Sequence, residues 1–230
     1  MKIRADFSEK AILRPGDEPW AASPQPGVER QMLDRIGGEI ARATSLVHFA
    51  PGSFFPHHVH GGGEEFFVLD GMLEDENGRY PQGTYLRDPI GSEHTPFTKG
   101  GSTIFVKLWQ FSKDDRARHV VDTNALPWQK GPGNGLATKE LHTFDGVSTF
   151  LLRMEPGARW DHETHADGEE ILVLEGEAAD ADGTYSARSW IRQPGGRESR
   201  LISESGATLL VKTGHLTASH LALFAEDATL

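Results

Sequence analysis

Short apolar runs broken by glycine and proline set the pattern of this chain. Arg42–Phe49 and Val147–Met154 alternate or run apolar for the length of a strand. Glu65–Leu69 and Glu170–Leu174 are shorter apolar runs, and Thr103–Phe111 and Ala207–Lys212 are two more. Turn-forming residues separate them at short intervals, which predicts a sandwich or barrel of β-strands. Asp75-Glu76-Asn77-Gly78 and Asp180-Ala181-Asp182-Gly183 predict hairpin turns, because Asn and Gly accept positive φ. Helical periodicity is scarce. Val28–Ile36 carries the spacing of a short helix, although its counterpart Leu136–Phe144 does not.

The pattern occurs twice. Pro51-Gly52 matches Pro156-Gly157, His60 matches His165, Glu64-Glu65 matches Glu169-Glu170, and Gly71 matches Gly176. Asp75, Tyr80, Pro89 and Val106-Lys107 find Asp180, Tyr185, Pro194 and Val211-Lys212 at the same offset of 105 residues. Upstream, Pro19-Trp20 matches Pro127-Trp128 and Leu33 matches Leu141 at an offset of 108, so a three-residue length change falls near Gly37-Gly38. An internal duplication is the physical reading. It predicts two tandem β domains, residues 1–118 and 119–230.

Composition narrows the chemistry. The 26 glycines and 13 prolines fit a turn-rich β fold, and 37% hydrophobic residues suffice for a core if the fold is β-rich. The absence of cysteine excludes disulfides, thiolate-bound zinc and thiol catalysis. A net charge of -11 argues against direct nucleic-acid binding. No apolar run approaches a membrane span and no signal-peptide core opens the chain, so no membrane partner and a cytoplasmic location are expected.

The candidate chemistry sits in His58-Val59-His60-Gly61-Gly62-Gly63-Glu64, with His94 after a turn at Pro89-Ile90-Gly91. On a strand, His58 and His60 face one side, and Glu64 keeps that parity if the glycines do not bulge the chain. Three imidazoles and one carboxylate suit Zn, Fe(II), Mn, Ni or Cu. The alternative is a set of polar groups hydrogen-bonded in a wet cavity. His57 and Glu65 have the opposite parity, so each is expected at the surface or behind the ligands. His48 lies on the preceding strand, from which it can line the cavity. His119, His142, His215 and His220 lack ligand-like spacing. At an offset of 105, His58 becomes Glu163 and His94 becomes Ser199, which leaves Glu163, His165 and Glu169 as a weaker second metal set, with His162 out of phase. Without a metal, the second copy would shape or cover the first site.

With these residues assembled, the chain resembles the cupin superfamily. Gly52, His58, His60, Glu64 and Gly71 follow its first motif, and Pro89–His94 represents its second. The longer phrases His58–Glu65, Val68–Gly71, Asp75-Glu76 and Arg87–Pro96 are similar to the cupin domain of ChrR-type anti-sigma factors. The resemblance covers Pro19–Phe111, and Pro127–Leu216 through the duplication. It implies an all-β bicupin: two tandem double-stranded β-helix, jelly-roll-like barrels. It also implies one divalent metal in the first barrel on His58, His60, Glu64 and His94. That metal is Zn in the anti-sigma cupins, so Zn is the ion the resemblance implies here, with Fe(II), Mn or Ni, used by other cupins, as the alternatives. A sigma factor is a partner by this resemblance only, since the family's separate cysteine-bearing zinc domain has no cysteine to build it here.

The leading reading is a metal-binding bicupin of the ChrR anti-sigma cupin type that serves as a regulatory module sensing a small molecule or oxidant. The alternative is a mononuclear non-haem dioxygenase acting on a β-diketone-like molecule. A closed site favours the first and a cavity-facing site the second. A tandem bicupin can serve as its own dimer, yet cupin edges also pair between chains, so a homodimer stays open.

Overall fold

The computed structural model describes residues 1–38 and 40–217. Every regular element among them is a β-strand, and no described helix is long and apolar enough to cross a membrane. Two compact units emerge. One contains Met1–Ala5 and Pro19–Ala125, and the other contains Asp6–Glu18 and continues from Leu126.

In the first unit, the main antiparallel sheet runs Lys2–Ile3, Val28–Gly37, Ala41–Phe49, Ser102–Leu108, Glu64–Asp75, Thr84–Asp88, His119–Asp122. His58–Val59 and Glu93–His94 form a separate two-stranded ribbon. The second unit repeats the order with Leu136–Phe144, Val147–Met154, Ala207–Thr213, Glu169–Asp180 and Trp190–Gln193. Its ribbon pairs Ala158–Glu163 with Glu198–Ser203.

Alternation explains both cores. Val28, Val47, Phe49, Phe66, Val68, Ile104 and Val106 cluster inside the first unit, and Leu136, Leu152, Met154, Ile171, Val173, Leu209 and Val211 cluster inside the second. The short runs read as continuous rather than alternating because Phe67 and Leu69 are buried as well.

Three details differ from the sequence expectations. Val28–Gly37 is a strand, not a helix. Its register shifts between Met32 and Asp34, and that bulge moves Leu33 into the core and breaks the alternation into something that mimics helical spacing. Two segments also lie across the boundary that the duplication suggested. His119–Asp122 pairs with Thr84–Asp88 in the first unit, and Ala11–Leu13 pairs with Trp190–Arg192 in the second. The three-residue length change sits in one hairpin. Phe144 pairs with Val147 around Asp145-Gly146 in the second unit, whereas the equivalent pair in the first, Ile36 and Arg42, is three residues further apart in the chain.

Both long strands bend at a glycine. Glu64–Asp75 and Glu169–Asp180 each shift register just before Gly71 and Gly176, then leave the main sheet to pair with Gly78–Pro81 and Gly183–Ser186. In the first unit this bend carries Asp75 to the back of the two-stranded ribbon that holds His58 and His94.

Candidate metal centre

His58, His60, Glu64 and His94 meet at one point. One donor atom from each lies within 4.8 Å of all the others. Three structural devices place them. His58 and His94 are directly opposed on the ribbon. The His60 N–H donates to Ser92 O at 2.8 Å and extends that pairing. The glycines then turn the chain, so Glu64 arrives as the first residue of the main sheet rather than by strand parity. The turn needs small residues. A Cβ on Gly62 would lie 2.4 Å from the Trp109 ring, and one on Gly63 (φ +77°) 2.4 Å from the Phe111 ring.

The hydrogen bonds behind the imidazoles fix their tautomers. His58 Nδ1 faces Pro56 O at 2.9 Å, and a carbonyl only accepts, so Nδ1 carries the proton. Ser92 donates its hydroxyl proton to Pro89 O at 2.6 Å. His60 Nδ1, 2.9 Å from that hydroxyl oxygen, must therefore donate to it. His94 Nδ1 donates to Asp75 Oδ2 at 3.1 Å. In all three neutral rings, Nε2 is left as a bare lone pair. Two of these lone pairs, on His58 and His60, face each other at 3.3 Å. Buried His94 Nε2 has no hydrogen-bond partner among the described residues. Glu64 Oε1 lies 3.5 Å from His94 Nε2 and 3.7 Å from His60 Nε2. Donors bound at about 2.0–2.2 Å around one tetrahedral ion are separated by about 3.3–3.6 Å. Converging lone pairs without a proton between them repel one another, and a cation removes the repulsion. The donor set fits a divalent metal.

Asp75 is itself held firmly. Its Oδ1 accepts from the Asn77 and Gly78 N–H groups and from Tyr80 Oη, at 2.7, 2.9 and 2.8 Å. Arg118 Nη2 donates to Tyr80 Oη at 2.8 Å, and its Nε donates to Asp88 at 2.7 Å. Burial would raise the Asp75 carboxyl, but its hydrogen bonds from His94, Tyr80 and Asn77 outweigh burial and keep its pKa below the usual carboxylate range. The same carboxylate acts on His94. Burial alone would lower that imidazole, but the bond to Asp75 and the charge of Glu64 hold its pKa above the ordinary histidine value. Burial dominates at His60 and lowers its pKa.

As pH falls, His94 takes up a proton at the one free nitrogen, Nε2, and is lost as a donor. Metal uptake by the metal-free protein should begin to fail above the ordinary histidine range. Asp75→Asn should move that onset to lower pH. At neutral pH it should weaken metal affinity about 10- to 100-fold, the usual cost of losing an outer carboxylate partner. A chelator-competition titration across pH checks both effects.

The quartet opens on a cavity of about 410 Å³ lined mainly by apolar side chains, among them Val47, Phe49, Phe55, Ile104, Val106 and Trp109. Other sequence expectations fare differently. His57 is exposed and lies 3.8 Å from Glu93. Glu65 is not at the surface. It is buried against Arg87, which also binds Asp115. His48 does not line the cavity, since its ring bonds Thr103 Oγ1 and meets Trp20 edge-on. His142 and His215 are buried, the latter 3.4 Å from Glu170, and His220 lies outside the described residues.

The second copy is out of register with the sequence match. Ser199, the counterpart of His94, faces His162 rather than Glu163. The N–H that reaches Arg197 O, as His60 reaches Ser92 O, belongs to Thr164. The structural counterparts of His58 and His60 are therefore His162 and Thr164, and one extra residue in the following turn restores the offset. Glu163 and His165 are consequently exposed and do not join Glu169. Glu169 is buried and accepts from His162 Nε2 at 2.7 Å and Gln193 Nε2 at 3.0 Å. Trp160 stacks on His162 with ring centroids 3.8 Å apart. Among the described residues, only the quartet of the first unit gathers donors at metal range.

Comparisons with known proteins agree with this architecture. Residues 8–112 and 116–217 each match the family model described as ChrR Cupin-like domain. No curated protein matches the chain. Three similar solved structures share its fold. A candidate dioxygenase from Nostoc punctiforme is 15% identical with a TM-score of 0.71, covering 93% of this chain and 86% of its own. The bacterial pirin from Escherichia coli in complex with nickel(II) is 11% identical with a TM-score of 0.69, covering 91% and 100%. A mutant oxalate decarboxylase from Bacillus subtilis is 14% identical with a TM-score of 0.60, covering 88% and 76%.

Proposed function

Because both halves match its domain model, the chain belongs to the ChrR cupin-like domain family, and we propose that its first cupin is a mononuclear metal centre acting on a small organic molecule. The observation that carries the reading is the set of three imidazole lone pairs and one carboxylate, locked from behind and facing a mainly apolar cavity. His58, His60, Glu64 and His94 hold the ion. Asp75, Ser92 and the Pro56 carbonyl keep the three rings in the ligating tautomer. A divalent ion there supplies Lewis acidity and, if it is Fe(II) or Mn, redox reactivity toward O₂. The apolar walls exclude water and orient the substrate. The second cupin is a partner barrel without a metal of its own.

The reaction class that fits best is oxygenation. A β-diketone-like substrate takes up one O₂ and divides into a carboxylic acid and an α-dicarbonyl. The apolar walls can seat the hydrocarbon part of such a diketone, and the names of the structural neighbours include a candidate dioxygenase. The test is oxygen uptake by the Fe(II)-loaded protein with simple β-diketones. One O₂ consumed per substrate cleaved supports the reading. Full Fe(II) occupancy without oxygen uptake rejects it.

A second reading is favoured by the family match. A Zn-bearing cupin that binds a small molecule and signals to a protein partner would use the same cavity. Zinc retained through purification, with ligand binding and no turnover, supports this reading over the first.

A further inference from the structure

Among the described residues, the cavity of the first barrel is lined by one arginine and no lysine. Arg30 lines it from the strand Val28–Gly37. Its neighbour Glu29 points outward and is exposed, whereas Val28 two residues away is buried in the core. Arg30 is paired with Val47, which in turn is paired with Ile104, and both of these line the same cavity. Arg30 therefore occupies an inward position that its neighbours fill with hydrocarbon.

Its partners are few. The guanidinium donates from Nη2 to Ser23 Oγ at 2.8 Å, and no carboxylate among the described residues pairs with it. An Arg head group facing an apolar cavity without a counter-ion is costly, and its planar fork matches a carboxylate. Among the described residues, the one carboxylate on the lining is Glu64, which is committed to the quartet.

The duplication supplies an internal control. Val28, Val47, Phe49, Ile104 and Val106 correspond to Leu136, Leu152, Met154, Leu209 and Val211, so the packing positions stay apolar in both barrels. The positions of His60, His94 and Arg30 become Thr164, Ser199 and Thr138. Arg30 occurs in the copy that keeps the quartet and is missing from the copy that lost it, so it belongs with the site rather than with the packing of the barrel.

We propose that Arg30 anchors a carboxylate, and that the cavity takes a small apolar molecule carrying one such group. The hydrocarbon part lies along the Val47, Phe49, Ile104 and Val106 walls. Ile40 and Val59, which also line the cavity and are exposed, present an apolar entrance. The inference deepens the metal-centred reading and rests on it only for what happens at the end of the molecule away from Arg30.

The test compares hexanoate with its neutral analogue hexanamide by calorimetric titration of the full chain, Zn(II)-loaded and metal-free. Arg30→Gln and Arg30→Lys are examined alongside, with metal content measured on every sample. Wild type should bind hexanoate about 10- to 100-fold more tightly than hexanamide, the range of a charge-assisted hydrogen-bonded pair. Arg30→Gln should lose that preference while taking up Zn(II) like wild type, and Arg30→Lys should keep part of it. If Arg30→Gln still prefers hexanoate, the carboxylate goes to the metal or the imidazoles and the inference fails. It fails equally if wild type does not discriminate. A wild type that prefers hexanoate but takes up no metal overturns the metal-centred reading instead and leaves the anchor standing.

Discussion

His60→Ala should strip the protein of its metal. His60 contributes a lone pair whose direction is fixed by Ser92 on one side and which lies 3.3 and 3.7 Å from the His58 and Glu64 donors. Losing a partner behind a ligand costs about 10- to 100-fold in affinity, and losing the ligand itself should cost more. The expected outcome is a metal content near zero after dialysis, with an unchanged β-sheet circular dichroism spectrum. Glu163→Ala and His165→Ala are the matching controls. Both residues are exposed in the second barrel, so both variants should retain metal at the wild-type level. Full metal in His60→Ala would show that the ligands are misassigned.

Gly71→Ala should be the most damaging small change to the fold. Gly71 has φ +70°, and a Cβ there would sit 2.1 Å from the carbonyl oxygen of Gly101, the residue just before the neighbouring strand Ser102–Leu108. Backbone on both sides of the contact leaves no flexible side chain to yield. Left-handed strain costs about 1–3 kcal/mol and forced overpacking a similar amount, for a total of about 4 kcal/mol. That is a large share of the stability of an ordinary domain, about 5–15 kcal/mol. Gly52→Ala separates the two causes. Gly52 has φ +78° but open space around its Cβ position, so only the strain should appear, about 1–2 kcal/mol. Urea unfolding of both variants checks the difference. Similar losses in the two would mean that the bend at Gly71 relaxes without cost.

The two bends also show why so much of this molecule was legible in its sequence. Gly71 and Gly176 occupy equivalent places because the backbone approach at each admits nothing larger, and such constraints kept the duplication visible at one offset. The quartet was legible for a related reason. Metal donors are few in kind, and their spacing reflects a ribbon and a tight turn.

Where sequence and structure diverge, the cause is contact across strands. Leu33 is shifted by a bulge that apolar spacing alone reads as a helical turn. Parity places Glu65 at the surface or behind the ligands without choosing between them, because its partner Arg87 stands on another strand, 22 residues away. His165 matched His60 letter for letter, yet one residue gained in the turn moved Thr164 into that place and put His165 in solvent. A compensated one-residue slip on a strand leaves the alignment nearly intact and reverses which side chains point inward.

The central claim is one metal ion in one of two similar barrels. Elemental analysis of the purified protein by mass spectrometry, set against protein concentration, tests it most directly. The account predicts one divalent ion per chain, lost in His60→Ala and kept in Glu163→Ala. Two ions per chain would contradict the loss of the second site, and none after incubation with Zn(II), Fe(II), Mn(II) or Ni(II) would contradict the first.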